Sequence, residues 1–164
     1  LSLISAPVSQ ILELIDSAKT IKDSRFLGLH LEGPFISQEF KGAHDPEVLH
    51  APTDNEMNEI IERGKGVVRS ITLAPELTPI SQINALLDAG IMPCFGHSAA
   101  GYEPTKEFFK LGSKVMTHAF NGMSGIHHRA PGPIPAALEA DAFTELIADG
   151  VHVEAAAARL LNPN

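Results

Sequence analysis

The sequence predicts an α/β fold, and within it a (β/α)8 TIM barrel that is incomplete in this chain. Three observations carry this. Short apolar runs alternate with amphipathic runs along the chain, the pattern of parallel strands joined by helical crossovers. Polar and ionisable residues follow the strand candidates: Glu32, Glu76, His97, Asn121 and His152 each stand at or beyond a C-terminal strand end. That is the end at which barrels and open α/β sheets bind ligands. Finally, strand alternation puts the leucines of Leu27-Gly28-Leu29-His30-Leu31-Glu32 on one face and Gly28, His30 and Glu32 on the other. A polar inner face fits a barrel mouth better than a sheet covered by helices on both sides.

The elements follow in order. A helix is predicted over 8–20 and a strand over 25–31. Residues 33–52 form one long connection, and loops of that length are functional or disordered. Thr53-Asp54 starts a helix over 54–63, followed by a strand over 68–74. Thr78-Pro79 opens a helix over 79–89 that Gly90 ends, because proline suits a first helical turn and glycine a C-terminal cap. A strand over 91–96, a helix over 104–111 closed by Gly112, and a strand over 114–120 come next. The last elements are a helix over 133–139, a strand over 145–148 and a helix over 154–161. Five strands without a composition break read as one domain.

Composition narrows the function. The 164 residues carry a net charge of -8, which disfavours nucleic acid, since phosphate backbones are held by Lys and Arg. Apolar runs are short and broken by Pro or Gly, so no membrane span is expected. Cys94 is the lone cysteine, which excludes an internal disulfide and suits a reducing cytoplasm. It alternates away from His97 and reads as an inert core residue. The N-terminus lacks a secretory pattern. The chain starts at Leu1 in helix-like sequence and stops soon after another such run, so a fragment of a longer protein is expected.

Three residues stand out as metal ligands. Glu32 lies in His30-Leu31-Glu32-Gly33-Pro34, His97 in Phe95-Gly96-His97-Ser98, and His118 in Met116-Thr117-His118-Ala119. Singly, Glu32 could be a salt-bridged surface glutamate, and each histidine a core group bonded to a carbonyl. Together, on separate strand ends, two imidazoles and a carboxylate are the donor set of many catalytic zinc sites. Such an ion brings the pKa of a water from about 15.7 toward roughly 7. The same donors suit ferrous iron. A second group, His44, Asn121, Gly122, Arg129 and His152, reads as binding substrate hydroxyls and a phosphate, or else as solvated loop residues. His127 and His128 are adjacent and unsuited to sharing one ion.

Seven motifs in order resemble the N-acetylglucosamine-6-phosphate deacetylase family of the amidohydrolase superfamily. They are His30-Leu31-Glu32-Gly33-Pro34-Phe35, Lys41-Gly42-Ala43-His44, Thr72-Leu73-Ala74-Pro75-Glu76, Gly96-His97-Ser98-Ala99, Thr117-His118-Ala119-Phe120-Asn121-Gly122-Met123, Arg129-Ala130-Pro131-Gly132 and Ile147-Ala148-Asp149-Gly150-Val151-His152-Val153. The resemblance implies a TIM barrel whose central portion spans 1–164. It implies one divalent metal, zinc before iron, on Glu32, His97 and His118. His44 and His152 would contact the sugar, and the Asn121-Gly122 backbone would hold the phosphate. Arg129 would reach the substrate of a neighbouring subunit, making a homodimer. The implied reaction converts N-acetylglucosamine 6-phosphate to glucosamine 6-phosphate and acetate.

The match has departures. Gly122 stands where the family commonly has Ala, and the His127-His128 pair is unfamiliar. The family's catalytic Asp is expected beyond Asn164, so no catalytic acid/base is assigned here. The first barrel strand is expected before Leu1, and the β-sandwich domain is expected outside the chain. With a barrel needing about 250 residues, the piece alone is expected to be inactive. The competing readings are another amidohydrolase, which would want a carboxylated lysine or a different histidine pattern, and a non-catalytic metal- or sugar-phosphate-binding barrel remnant.

Overall fold

The computed structural model describes residues 1–161; the last three residues lie outside the described part. Six parallel strands form one sheet: β1 (Ser2–Leu3), β2 (Leu29–Glu32), β3 (Val68–Leu73), β4 (Met92–Phe95), β5 (Val115–Met116) and β6 (Phe143–Thr144), each beside its predecessor in sequence. A doubly wound sheet reverses its strand order part-way; this sheet does not. Helices α1 (Val8–Ala18), α2 (Asp54–Gly64), α3 (Ile80–Asp88), α4 (Tyr102–Lys110) and α5 (Pro133–Glu139) make the crossovers, and α6 (Ala155–Ala158) follows β6. Among the described residues no helix is long and apolar enough to cross a membrane.

The α/β reading holds, with six strands where five were expected. The missed strand, β1, has two residues, too short for a period-2 pattern to show. It pairs Ser2 with His30 and Leu3 with Leu31. The strand expected from residue 25 begins at Leu29 instead. Asp23 accepts from Arg25 through both backbone and side chain, making a turn, and Gly28 has φ +129°, which a β-strand does not use. Leu27 is therefore exposed and leaves the leucine face, while Leu29 and Leu31 keep it and are buried. The strand expected over 114–120 stops at Met116, because His118 and Phe120 have left-handed backbone angles of +31° and +77°. The last strand comes two residues early, where Phe143 and Thr144 pair with Val115 and Met116; aromatic and β-branched side chains suit that pleat.

Helix starts follow cap chemistry. Thr53 accepts from the Glu56 backbone while the Glu56 carboxylate accepts from the Thr53 backbone, a reciprocal capping box. Pro79 sits at the cap position, one residue before α3. Helix α4 begins two residues ahead of the expected Pro104, since a proline in the first turn forfeits no helical bond. Gly90 and Gly112 follow α3 and α4 with positive φ, as expected. The core lies between sheet and helices, with Leu31, Ile71, Leu73, Phe95 and Phe108 almost without exposure. Each such side chain contributes about 1.5–3 kcal/mol by burial. Cys94 is buried in the sheet, and burial pushes its thiol up to about 12, consistent with an inert residue.

Candidate metal centre

Three strand ends aim three donors at one point. Glu32 is the last residue of β2, His97 stands two past β4, and His118 two past β5. His118 Nε2 lies 2.9 Å from Glu32 Oε1 and 3.0 Å from His97 Nε2, and His97 Nε2 lies 3.2 Å from Glu32 Oε1. Among the described residues these are the His, Cys, Asp and Glu groups placed to share an ion. Tetrahedral zinc with ligand bonds of about 2.0–2.1 Å holds its donors roughly 3.3 Å apart, so the observed spacing needs only slight expansion.

The backbone holds these ligands under constraint. His97 has φ +46° and His118 +31°, a region non-glycine residues avoid and that recurs at functional sites. Gly96 permits the first turn: a Cβ there would lie 2.6 Å from Thr72 Cγ2. His97 Nδ1 lies 2.7 Å from the Phe40 carbonyl oxygen. A carbonyl only accepts, so Nδ1 carries a proton, and Nε2 is the nitrogen turned to Glu32 and His118, where an ion would sit. Such a carbonyl partner is the usual outer support of a metal-ligating histidine. His118 Nδ1 is buried without a hydrogen-bond partner, so the described polar contacts of this ring are made through Nε2.

Electrostatics point the same way. The imidazoles of His118, His44 and His97 around it hold the Glu32 carboxyl well below the usual carboxylate range, against the opposing effect of burial. Burial pulls His118 down, but its hydrogen bond to Glu32 and the carboxylate charge outweigh that and raise it. Three acceptor atoms about 3 Å apart are stable only around positive charge. Without metal a proton on His118 supplies it; with metal the ion does. The donor set therefore fits a divalent cation. Beneath it, His30 Nδ1 bonds Ser70 Oγ at 2.8 Å and Nε2 bonds Thr72 Oγ1 at 3.1 Å. Thr72 Oγ1 bonds Thr117 Oγ1 at 2.7 Å, so a polar floor spans β2, β3 and the end of β5. Burial lowers the His30 pKa, which keeps this floor neutral.

The second group divides. His44, Asn121, Gly122 and His152 line the same open cavity of about 350 Å³ as the three ligands. His44 is buried, with Nε2 3.9 Å from Glu32 Oε1. His152 is exposed and held by Asp149, whose Oδ2 accepts from Nδ1 at 2.7 Å. Asp149 also accepts from two backbone amides, which with His152 bring its carboxyl to about 2. The Asn121 N–H donates to the His118 carbonyl, so within this turn Gly122 has the freer amide. Arg129 lies exposed on its loop and outside the cavity. His127 and His128 are likewise exposed, and neither joins the ligand group.

Two supporting residues were not read from the sequence. Glu76 was placed at a strand end without a role; its carboxylate turns to the His97 loop, accepting from Ser98 Oγ and Ala99 N at 2.6 Å each. Ser5 follows the missed strand β1 and touches both His44 and the Glu32 backbone. The long 33–52 connection brings His44 and the Phe40 carbonyl to the ligand group.

No protein-family model matches the chain. It is 39% identical over 139 residues to an N-acetylgalactosamine-6-phosphate deacetylase of Escherichia coli, covering 84% of this chain and 37% of that protein. It is 38% identical over 161 residues to an N-acetylglucosamine-6-phosphate deacetylase of Vibrio furnissii, covering 94% of this chain and 40% of that one. A solved mutant N-acetyl-D-glucosamine-6-phosphate deacetylase of Mycobacterium smegmatis, in complex with N-acetyl-D-glucosamine-6-phosphate, superposes with TM-score 0.92 at 35% identity, covering 99% of this chain and 43% of that one. The chain thus spans about two fifths of the length of the curated relatives it matches. The resemblance read from the motifs is borne out over most of the chain.

Proposed function

We propose that this chain is the metal-holding part of an N-acetylglucosamine-6-phosphate deacetylase, a hydrolase that removes acetate from the 2-acetamido group and leaves glucosamine 6-phosphate. The observation that carries the reading is the convergence of Glu32 Oε1, His97 Nε2 and His118 Nε2 to 2.9–3.2 Å, in a chain similar to such enzymes over most of its length. The six consecutive parallel strands are then part of a (β/α)8 barrel, with the metal at its C-terminal mouth.

Glu32, His97 and His118 would hold one divalent ion, zinc before iron. Such an ion, when bound, acidifies water and polarises a carbonyl. The chain's own residues do the rest. The Phe40 carbonyl keeps His97 Nε2 turned inward. His44 and His152 stand on the cavity wall, where they bind sugar hydroxyls. The turn at Asn121 and Gly122 presents the Gly122 amide to the phosphate. Arg129, outside its own cavity, is free to reach a phosphate held by a second copy, which makes the enzyme a homodimer. Among the described residues no carboxylate besides Glu32 lines the cavity, so the proton for the leaving amine is assigned to an aspartate on a later strand. The setting is amino-sugar breakdown in the cytoplasm.

The test is acetate release from N-acetylglucosamine 6-phosphate by the zinc-loaded protein. Release that disappears in Glu32→Ala and His118→Ala supports the reading; tight metal binding without release favours a binding module. The similarity to an N-acetylgalactosamine-6-phosphate deacetylase supports a second reading with the C4 epimer as substrate. Assaying both sugars side by side decides between them by the ratio of kcat/KM.

A further inference from the structure

Among the described residues β3 gives the ligand group no member, yet it lies between the strand that ends in Glu32 and the strand that leads to His97. Its Thr72 is paired with Glu32 across the sheet and has no exposure. Three parts of Thr72 meet the neighbours of three different ligands. The Thr72 carbonyl oxygen accepts from the N–H of Gly33, the residue after Glu32, at 3.0 Å. Thr72 Oγ1 lies 2.7 Å from the hydroxyl of Thr117, the residue before His118. The Thr72 Cγ2 methyl packs against Gly96, the residue before His97, so closely that a Cβ there would lie 2.6 Å from it.

A β-branched side chain has few rotamers. With Oγ1 bonded on one side and Cγ2 packed on the other, Thr72 keeps one orientation. Ligand geometry needs such support, since metal sites work only when their donors are held to within about 0.5 Å. His97 has the Phe40 carbonyl for this. His118 has no partner at Nδ1, so outside the ligand group its ring is placed by its backbone. That backbone is tied to β3 through Thr117.

We propose that Thr72 is a positioning residue that sets the spacing of the three metal ligands, its hydroxyl fixing His118 through Thr117 and its methyl fixing His97 through Gly96. This rests on the reading of Glu32, His97 and His118 as metal ligands, and not on the identity of the sugar. Removing the hydroxyl takes away the bond to Thr117 and frees the end of β5 to shift against Glu32. The strand without a ligand thus acts as the ruler against which the other strands are set.

Two measurements test this. Competition against a chromophoric chelator gives the zinc affinity, and the visible d–d bands of the cobalt(II)-loaded protein report the coordination geometry. Thr72→Val keeps the shape and the methyl but loses the hydroxyl. It is expected to weaken zinc binding about 10–100-fold, the scale of losing outer support to a ligand, and to shift the cobalt bands. Thr72→Ser keeps the hydroxyl and recovers most of the affinity. Thr117→Val removes the other end of the same bond, so the double variant binds no more weakly than the weaker single one. Ile71→Val thins the core beside Thr72 in the same strand; it lowers Tm but leaves affinity and bands unchanged, which separates positioning from general stability. Unchanged affinity in Thr72→Val, an equal loss in Thr72→Ser, or an equal loss in Ile71→Val overturns the proposal while the metal reading stands. If Thr72→Val does not fold, Thr117→Val decides alone, and full affinity there overturns the proposal. An unmodified protein that takes up neither ion overturns the metal reading and the proposal together.

Discussion

Glu76 clasps Ser98. Its Oε2 accepts from Ser98 Oγ at 2.6 Å while its Oε1 accepts from Ala99 N at the same distance. Ser98 is fully buried and directly follows His97, whose backbone is left-handed. The carboxylate three residues past β3 therefore ties down the turn that presents a ligand just beyond β4.

Removing that clasp should loosen the metal without unfolding the chain. Glu76→Ala is expected to weaken zinc affinity about 10–100-fold, the usual effect of losing outer support to a ligand, with an unchanged circular dichroism spectrum. Glu76→Gln, which keeps one acceptor, recovers part of it. Competition against a chromophoric chelator reads both; unchanged affinity in Glu76→Ala would show that the turn holds its shape alone.

Gly33 should tolerate no side chain. Its φ of +80° and the closeness of Ser5 Oγ make Gly33→Ala pay for a left-handed alanine, about 1–2 kcal/mol, and for displacing Ser5. A loss of at least about 2 kcal/mol in urea unfolding is expected. A neutral Gly33→Ala would mean that the Glu32–Gly33 turn can relax.

The His50–Glu56 pair predicts a pH window. His50 Nε2 lies 2.9 Å from Glu56 Oε1 and its Nδ1 bonds the Val48 carbonyl, which pins the long connection to α2. Burial lowers His50 and raises Glu56, but their hydrogen bonds outweigh it, so His50 ends above its ordinary 6.5 and Glu56 below its ordinary 4.5. A raised histidine stabilises fully below its unfolded value and loses that as pH rises through the folded one. A lowered glutamate stabilises fully above its unfolded value and loses that as pH falls through the folded one. The pair is therefore fully effective between about 4.5 and 6.5. His50→Gln should lower Tm by roughly 1–3 °C in that window, the scale of a surface ion pair, and by less at higher pH. A difference independent of pH would contradict the pair's role.

The ligands were legible in the sequence because each sits on a strand end that local pattern reveals. Glu32 follows an alternating run, His97 and His118 follow apolar runs, and parallel pairing brings such ends together. The supports were not legible because they are long-range. Ser5 meets His44 from 39 positions away, two residues past a strand too short to show a period. Glu76 meets Ser98 from 22 positions away, across a strand boundary that says nothing of which way a side chain turns. Strand limits erred where backbone angles, set by Gly28, His118 and Phe120, override side-chain pattern.

The convergence of Glu32, His97 and His118 is the claim on which the rest depends, and counting metal tests it most directly. After loading with zinc and exhaustive dialysis, elemental analysis of the purified protein should find one ion per chain, and close to none in Glu32→Gln. A wild-type protein that retains no metal, or a Glu32→Gln protein that retains a full equivalent, would contradict the account.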